Sequence, residues 1–145
     1  MQQPKNIADR FSLGQITLAA LLFMMSGVVI ELFLLGHYED SKQLIPVFSI
    51  GVSLPAAVIL YFRRTTSTIV FFKIILSILT ITGIYGTFLH LKANYEFETE
   101  MKPTSGGWDL IVDSLSGALP ALAPGSMIAL ALIGFIFLKI IVDQQ

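Results

Sequence analysis

The residues of this sequence best suited to chemistry are two histidines, His37 and His90, and one carboxylate, Glu31, which lies inside a long apolar run. Imidazole and carboxylate ligands together suit zinc, iron(II), manganese or copper(II). Glu31 lies about four residues from the end of its run, about 6 Å deep at 1.5 Å per residue. A carboxylate at that depth is costly unless it is paired, hydrated or protonated. We therefore expect Glu31, His37 and His90 to form a site for a divalent metal ion.

A larger set of polar residues lies close to the histidines in the sequence and widens the candidate site: Glu39, Asp40, Asn94, Glu96, Glu98 and Glu100. Asn94 follows His90 by four positions and shares its face if a helix continues there. The three glutamates after Asn94 would instead lie on one side of an extended segment. We expect Glu39, Asp40 or Glu96 to add ligands to the metal ion.

Three other interpretations of the histidines remain open. Histidines at a membrane interface can hydrogen-bond to backbone or lipid headgroups, with Glu31 paired to one of them or facing water. A carboxylate–histidine pair can also act as a proton relay or bind a small polar substrate. A haem b between His37 and His90 needs only two facing imidazoles, but both lie at the predicted membrane edge and the sequence has no second pair.

No familiar catalytic motif occurs in the sequence. GxSxG, HExxH, P-loop and GxGxxG patterns are all absent. The chain contains no cysteine, which excludes disulfides, thiolate metal sites and lipid-modified cysteine. A net charge of -1 without a basic block argues against nucleic-acid binding. We therefore predict no catalytic residue, and enzymatic activity stays undecided.

The elements that must position these residues are membrane helices. Of the 145 residues, 54% are hydrophobic and 13% are charged, whereas a soluble domain has about a quarter charged residues. The mean hydropathy is +0.78. Since about 20 apolar residues cross a ~30 Å hydrocarbon core, the sequence predicts four crossings, at about residues 12–35, 44–62, 69–91 and 124–142. We expect an all-α four-transmembrane-helix bundle that forms one membrane domain over residues 1–145.

A short amphipathic helix is predicted before the last crossing, at about residues 108–116. Its i, i+3, i+4 and i+7 positions form one apolar face, with Trp108, Ile111, Val112 and Leu115. We expect this helix to lie in the membrane interface with Trp108 as its anchor.

The PALAPG segment that follows, residues 120–125, predicts a dip or broken segment. Such backbone at membrane depth has to pack against protein or line a wet cavity.

Lysine and arginine residues set the expected orientation, because basic residues are retained in the cytoplasm. Most of them fall on one side of a four-crossing arrangement: Lys5, Arg10, Arg63, Arg64, Lys73 and Lys139. The others fall on the opposite side: Lys42, Lys92 and Lys102. We expect both termini to face the cytoplasm and the histidines to face the outside.

Three polar stretches, ELFLLGHYEDSKQLIP, HLKANYEFETEMKP and GALPALAPGSM, resemble the signature stretches of a family of small bacterial four-helix integral membrane proteins. The resemblance covers the first loop, the outer end of the third crossing with the loop after it, and the entry to the fourth crossing. It implies a bacterial inner-membrane protein, and it points to the candidate residues named above and to the segment from Pro120 to Gly125. It implies no catalytic role, because the family has no assigned activity.

We expect a binding or transport-accessory protein whose extracytoplasmic histidine–carboxylate site holds a metal ion or a small polar ligand. The alternative is a structural subunit that packs through small-residue helix faces into a larger membrane complex or a homo-oligomer and has no ligand site of its own. In both cases the chain is expected to be embedded in the lipid bilayer.

Overall fold

The protein consists of five α-helices within the residues that the computed structural model describes, 12–104 and 106–144. The helices are α1 Leu13–Leu34, α2 Ser41–Phe62, α3 Thr66–Met101, α4 Trp108–Leu115 and α5 Gly125–Asp143. Four of them, α1, α2, α3 and α5, are long and apolar enough to cross a membrane. The predicted all-α fold with four membrane-crossing helices is confirmed, which makes the chain a multi-pass membrane protein. Lys5 and Arg10, which enter the predicted orientation, lie outside the described residues.

Two of the crossing helices begin at reciprocal hydrogen bonds between polar side chains and backbone. Before α1, Ser12 Oγ accepts a hydrogen bond from Gln15 N at 3.2 Å, and Gln15 Oε1 accepts one from Ser12 N at 2.9 Å. Thr65 and Thr68 form the same reciprocal pair at the start of α3. Capping boxes of this kind satisfy backbone N–H groups that have no partner within the helix. They fix where α1 and α3 start.

Helix α3 packs against more of the other helices than any other helix does. It packs against α2, α4 and α5, while α1 packs against α2 and α5. The four crossing helices therefore form a ring in the order α1, α2, α3, α5. The start of α1 lies beside the end of α5, since a Cβ placed at Gly14 would be 3.3 Å from Ile141 Cδ1. We call this the terminal end, and we call the opposite end, with the α1–α2 loop at residues 35–40 and the α3–α5 connection, the histidine end.

Apolar side chains from all four crossing helices fill the centre of the ring. Phe72 of α3 and Phe137 of α5 are fully buried and meet edge to face, with ring centroids 6.2 Å apart and an interplanar angle of 86°. Leu76 packs against the open backbone of Gly134, where a Cβ would overlap the leucine side chain. This packing fixes α3 against α5, and with it the position of the connection that joins them.

A single membrane crossing requires fewer residues than α3 contains. Its 36 residues extend about 54 Å at 1.5 Å per residue, compared with ~30 Å for the hydrocarbon core. The predicted third crossing, residues 69–91, lies inside this helix, which continues to Met101. The last turns of α3 therefore extend beyond the length of a crossing at the histidine end, where α4 packs against α3.

The segment at residues 95–101 is helical, so the extended alternative considered for it is wrong. In a helix, residues four apart share a face, so Glu98 lies on the opposite side of α3 from Glu96 and Glu100. An ion pair of 3.0 Å between Glu98 and Lys102, one turn apart, favours the helical form of this segment. The three glutamates consequently do not form one acidic edge.

The connection between α4 and α5, which we call the linker, covers residues 116–124 and packs directly on α3. It is not helical, and α5 begins directly after Pro124. A Cβ placed at Gly83 would lie 3.0 Å from Pro124 O, and a Cβ placed at Gly86 would lie 2.8 Å from Pro124 Cβ. The two glycines therefore let the linker approach the α3 backbone, as the broken segment predicted at residues 120–125 requires.

Candidate functional site

His37 is positioned by the turn that ends α1. The helix ends at Leu34, and Gly36 adopts a φ of +65°, a left-handed conformation that glycine takes without steric cost. His37 N then donates a hydrogen bond to Leu32 O at 2.8 Å, and Gly36 N donates one to Phe33 O at 3.1 Å. The last carbonyls of α1 are satisfied in this way. The backbone of His37 is thereby fixed at the histidine end of the bundle.

His90 projects from α3 toward the linker. Its Nδ1 lies 3.2 Å from Pro120 O. A carbonyl oxygen only accepts hydrogen bonds, so Nδ1 must carry the proton of the neutral ring, and Nε2 then holds the free lone pair. Backbone carbonyls, with carboxylates and water, are the usual partners of a histidine whose other nitrogen binds a metal ion.

The two imidazoles lie close together although α1, which precedes His37, and α3, which carries His90, are on opposite sides of the ring. Their ring centroids are 6.5 Å apart, with an interplanar angle of 59°. Partial burial lowers the pKa of His37 below its ordinary value, and the charge of a protonated His90 lowers it further. His37 therefore stays neutral to lower pH than a free imidazole does. A neutral imidazole is the form that binds metal ions or accepts a hydrogen bond.

Asn94, one turn beyond His90, anchors the linker to α3. The residue is 3% exposed. Asn94 Nδ2 donates to Ser114 O at 2.9 Å and to Leu119 O at 2.7 Å, and Oδ1 accepts from Leu119 N at 3.0 Å. Both amide protons are used, so Asn94 serves to hold backbone one residue before the Pro120 carbonyl.

Two of the acidic residues near the site form ion pairs on the surface of α3. Glu96 pairs with Lys92 at 3.6 Å, and Glu98 pairs with Lys102 at 3.0 Å. Lys102 also contacts Asp113 of α4 at 2.8 Å. Hydrogen bonds with Asp113 and then with Glu98 raise the pKa of Lys102 above its ordinary value. The Glu98–Lys102–Asp113 group ties α4 to the end of α3.

The acidic residues of the α1–α2 loop have local roles. Asp40 directly precedes α2, and its Oδ1 accepts a hydrogen bond from Ser41 Oγ at 3.1 Å. Glu39 Oε1 would lie 3.8 Å from a Cβ placed at Gly36, so this carboxylate lies over the turn that precedes His37. Glu39 is the loop carboxylate closest to His37 in the sequence.

Glu31 is exposed on the outside of α1. The helix buries Leu21 and Met25 in the core, and Glu31 does not lie on the face that these residues share. Within residues 12–104 and 106–144, no three or more histidine, aspartate and glutamate side chains are grouped so that they could hold a metal ion. The structure thus brings His37 and His90 together without a third ligand of these types.

The role of Pro120 was not predicted from the sequence. The prolines of the PALAPG segment predict a break in the helix, whereas the group that contacts His90 is a backbone carbonyl. Every residue has such a carbonyl, so a sequence pattern gives no signal for which one faces a side chain. The Asn94 spacing was the available signal, because it placed an amide on the face of α3 that carries His90.

Comparisons with known proteins give no relative: no family model matches the chain, and no curated protein and no solved structure matches it. The resemblance to small bacterial four-helix membrane proteins therefore stays a prediction.

Proposed function

We propose that this chain is a small bacterial inner-membrane protein in which His37 and His90 bind a transition-metal ion, in a binding or transport-accessory role. The observation that carries the proposal is the approach of the two imidazoles to 6.5 Å between ring centroids. They come from positions 53 residues apart in the sequence. The contact of His90 Nδ1 with Pro120 O supports it, since it leaves Nε2 available as a ligand atom.

A site with two protein ligands suits transient binding of a metal ion better than its permanent retention. Structural zinc sites use four protein ligands and catalytic sites use about three. A site with two imidazoles leaves the remaining positions to water or to a ligand on a partner. Imidazole suits zinc, copper, nickel and iron, whereas magnesium and calcium prefer oxygen ligands. A small polar ligand that bridges the two rings by hydrogen bonds is the other occupant that this geometry supports.

The distribution of charge supports attraction of a cation to the histidine end. Acidic residues outnumber lysines there: Glu39, Asp40, Glu96, Glu98, Glu100, Asp109 and Asp113 against Lys42, Lys92 and Lys102. A surplus of negative charge raises the local concentration of cations and their association rate. Arg63 and Lys139 lie at the terminal end, which favours a cytoplasmic terminal end and an extracytoplasmic metal site.

The test is metal binding by the protein purified in a mild detergent. We expect the wild type to bind Zn²⁺ or Co²⁺ at about one ion per chain and to gain thermal stability from it. His37→Ala and His90→Ala should each abolish both effects, whereas Glu31→Gln, on the exposed side of α1, should leave them unchanged. A wild type that binds none of the divalent transition metals and gains no stability would contradict the metal assignment.

A second candidate function is that of a structural subunit without a ligand of its own. Glycines on outward-facing helix surfaces favour it. A Cβ placed at Gly27 of α1 or at Gly51 of α2 would meet no atom within 4 Å. Small residues on such faces allow a second membrane helix to approach closely. In this case Gly27→Leu and Gly51→Leu should remove a co-purifying membrane protein or convert a homo-oligomer to a monomer. Unchanged assembly in both variants would contradict it.

A further inference from the structure

The position of the Pro120 carbonyl depends on contacts that lie outside the histidine pair. Leu119, the residue before Pro120, has both its N–H and its carbonyl bound by the side chain of Asn94. The second proton of Asn94 Nδ2 binds Ser114 O, at the last turn of α4. One buried amide group therefore binds the last turn of α4 and Leu119 of the linker, the residue before the carbonyl that contacts His90.

We propose that Asn94 is a positioning residue that holds the Pro120 carbonyl against His90 Nδ1 and so presents the Nε2 lone pair of His90 to the ligand. This inference rests on the proposed function, because it names the nitrogen that the metal or polar ligand meets. It also makes a claim about the protein without ligand: His90 carries its proton on Nδ1.

An asparagine is required at this position for a chemical reason. The contacts need two N–H donors and one acceptor on the same planar group, and a carboxamide supplies them at once. Aspartate has no donor, and alanine removes the partner that Asn94 provides for one carbonyl of α4 and for one carbonyl and one N–H of the linker. Since the site is buried, water does not readily replace these bonds.

Gly117 provides a second way to disturb the same contact. A Cβ placed at Gly117 would lie 2.6 Å from Asn94 Cγ and 2.9 Å from Asn94 Nδ2. Gly117→Ala therefore displaces the amide while keeping the asparagine. Gly106→Ala is the matched control, because a Cβ placed at Gly106 meets no atom within 4 Å. The control makes the same chemical change in the loop before α4.

The tautomer of His90 tests the positioning role of Asn94, because a purely structural role of Asn94 would not change this tautomer. Nitrogen-15 NMR of the metal-free protein, labelled at histidine and kept above pH 8, distinguishes a proton on Nδ1 from a proton on Nε2. The chain has two histidines, so the spectrum of His37→Gln assigns His90. We expect Nδ1–H in the wild type and in Gly106→Ala, and a shift toward Nε2–H in folded Asn94→Ala and Gly117→Ala.

Metal titration of the same variants separates this inference from the proposed function. Loss of an outer hydrogen-bond partner should weaken metal binding by about 10–100-fold. If the wild type binds no metal but the tautomer shifts as expected, the proposed function fails and the role of Asn94 stands. If the wild type binds metal while both folded variants keep the Nδ1–H tautomer and full affinity, the role of Asn94 is wrong. Should both variants fail to fold, the wild type still decides, since an Nε2–H tautomer overturns the inference and an Nδ1–H tautomer supports it.

Discussion

At the scale of single residues, His37 predicts a pH dependence of stability. Its folded pKa is lowered, mainly by burial, while the unfolded chain keeps a value of about 6.5. As the pH falls below about 6.5, the unfolded state binds a proton that the folded state resists, so the free energy of unfolding decreases. His37→Gln removes this proton uptake and should flatten the slope.

The measurement is the thermal unfolding midpoint in metal-free detergent buffer between pH 7.5 and pH 5. Wild type should lose stability over this range more steeply than His37→Gln. Equal slopes for the two proteins, or a wild type that gains stability on acidification, would contradict the lowered pKa.

Residue types predicted the candidate site in part. The sequence placed the two histidines at the ends of separate crossings but did not decide whether they meet; in the structure their ring centroids are 6.5 Å apart. The carboxylates were candidate ligands because they lie near the histidines in the sequence, but Glu96 pairs with Lys92 and Glu98 pairs with Lys102. Beyond residue 91, the direction in which each carboxylate points depends on whether the segment is helical or extended. The sequence did not decide between these two conformations.

At the scale of helices, the α3–α5 contact predicts a contrast between two glycines. A Cβ at Gly134 would overlap Leu76, whereas a Cβ at Gly51 meets no atom within 4 Å. Gly134→Ala should lower the free energy of unfolding by about 1–3 kcal/mol, because the core has to shift to admit a methyl group. Gly51→Ala should leave it unchanged or raise it by up to about 1 kcal/mol, since alanine favours a helix.

Detergent- or denaturant-induced unfolding followed by circular dichroism measures both variants against wild type. A Gly134→Ala protein as stable as Gly51→Ala would show that α3 and α5 are not packed as closely as described.

The short helix α4 predicts the environment of the single tryptophan. Trp108 is 73% exposed, and the apolar face that it shares with Ile111 and Leu115 points away from the buried Leu110. If α4 lies in the membrane interface, lipids brominated near the headgroup should quench Trp108 fluorescence more than lipids brominated near the end of the acyl chain. Absence of quenching by either lipid would place this face in water or against another protein.

Helix boundaries were predicted best where an apolar run carried the signal. α5 starts at Gly125, next to the predicted entry at residue 124, because Pro124 suits a helix start. The extension of α3 to Met101 was missed, since the polar stretch after His90 has no apolar periodicity. It is helical because α4 packs against it and because Lys102 pairs with both Glu98 and Asp113.

At the scale of the whole molecule, the ring of four crossings places the start of α1 and the end of α5 at one end and the histidines at the other. The expected orientation puts the histidine end outside the cytoplasm, because arginine and lysine concentrate at the terminal end. The chain has no cysteine, so single cysteines can be introduced without background. Glu100→Cys should react with a membrane-impermeant maleimide in intact spheroplasts, and Gln144→Cys should react only after the membrane is permeabilised. The reverse pattern would place the histidine pair in the cytoplasm.

Bundle architecture followed from composition, whereas the site did not. Four apolar runs, of which the first three are joined by short loops, allow few arrangements other than a ring of neighbouring antiparallel helices. The approach of His37 and His90 across the diagonal of that ring depends on the turn at Gly36 and on how the linker packs at Gly83 and Gly86. Such contacts come from tertiary packing, which no local pattern of residues specifies.

The most direct test of a two-imidazole metal site is X-ray absorption at the zinc edge, recorded on the detergent-purified protein loaded with one equivalent of Zn²⁺. Two histidines should give the multiple scattering of two imidazole rings with Zn–N distances of about 2.0 Å, and oxygen ligands should complete the shell. His90→Ala should not retain the zinc ion. A zinc shell composed only of oxygen, or a protein that does not retain zinc at all, would contradict the account.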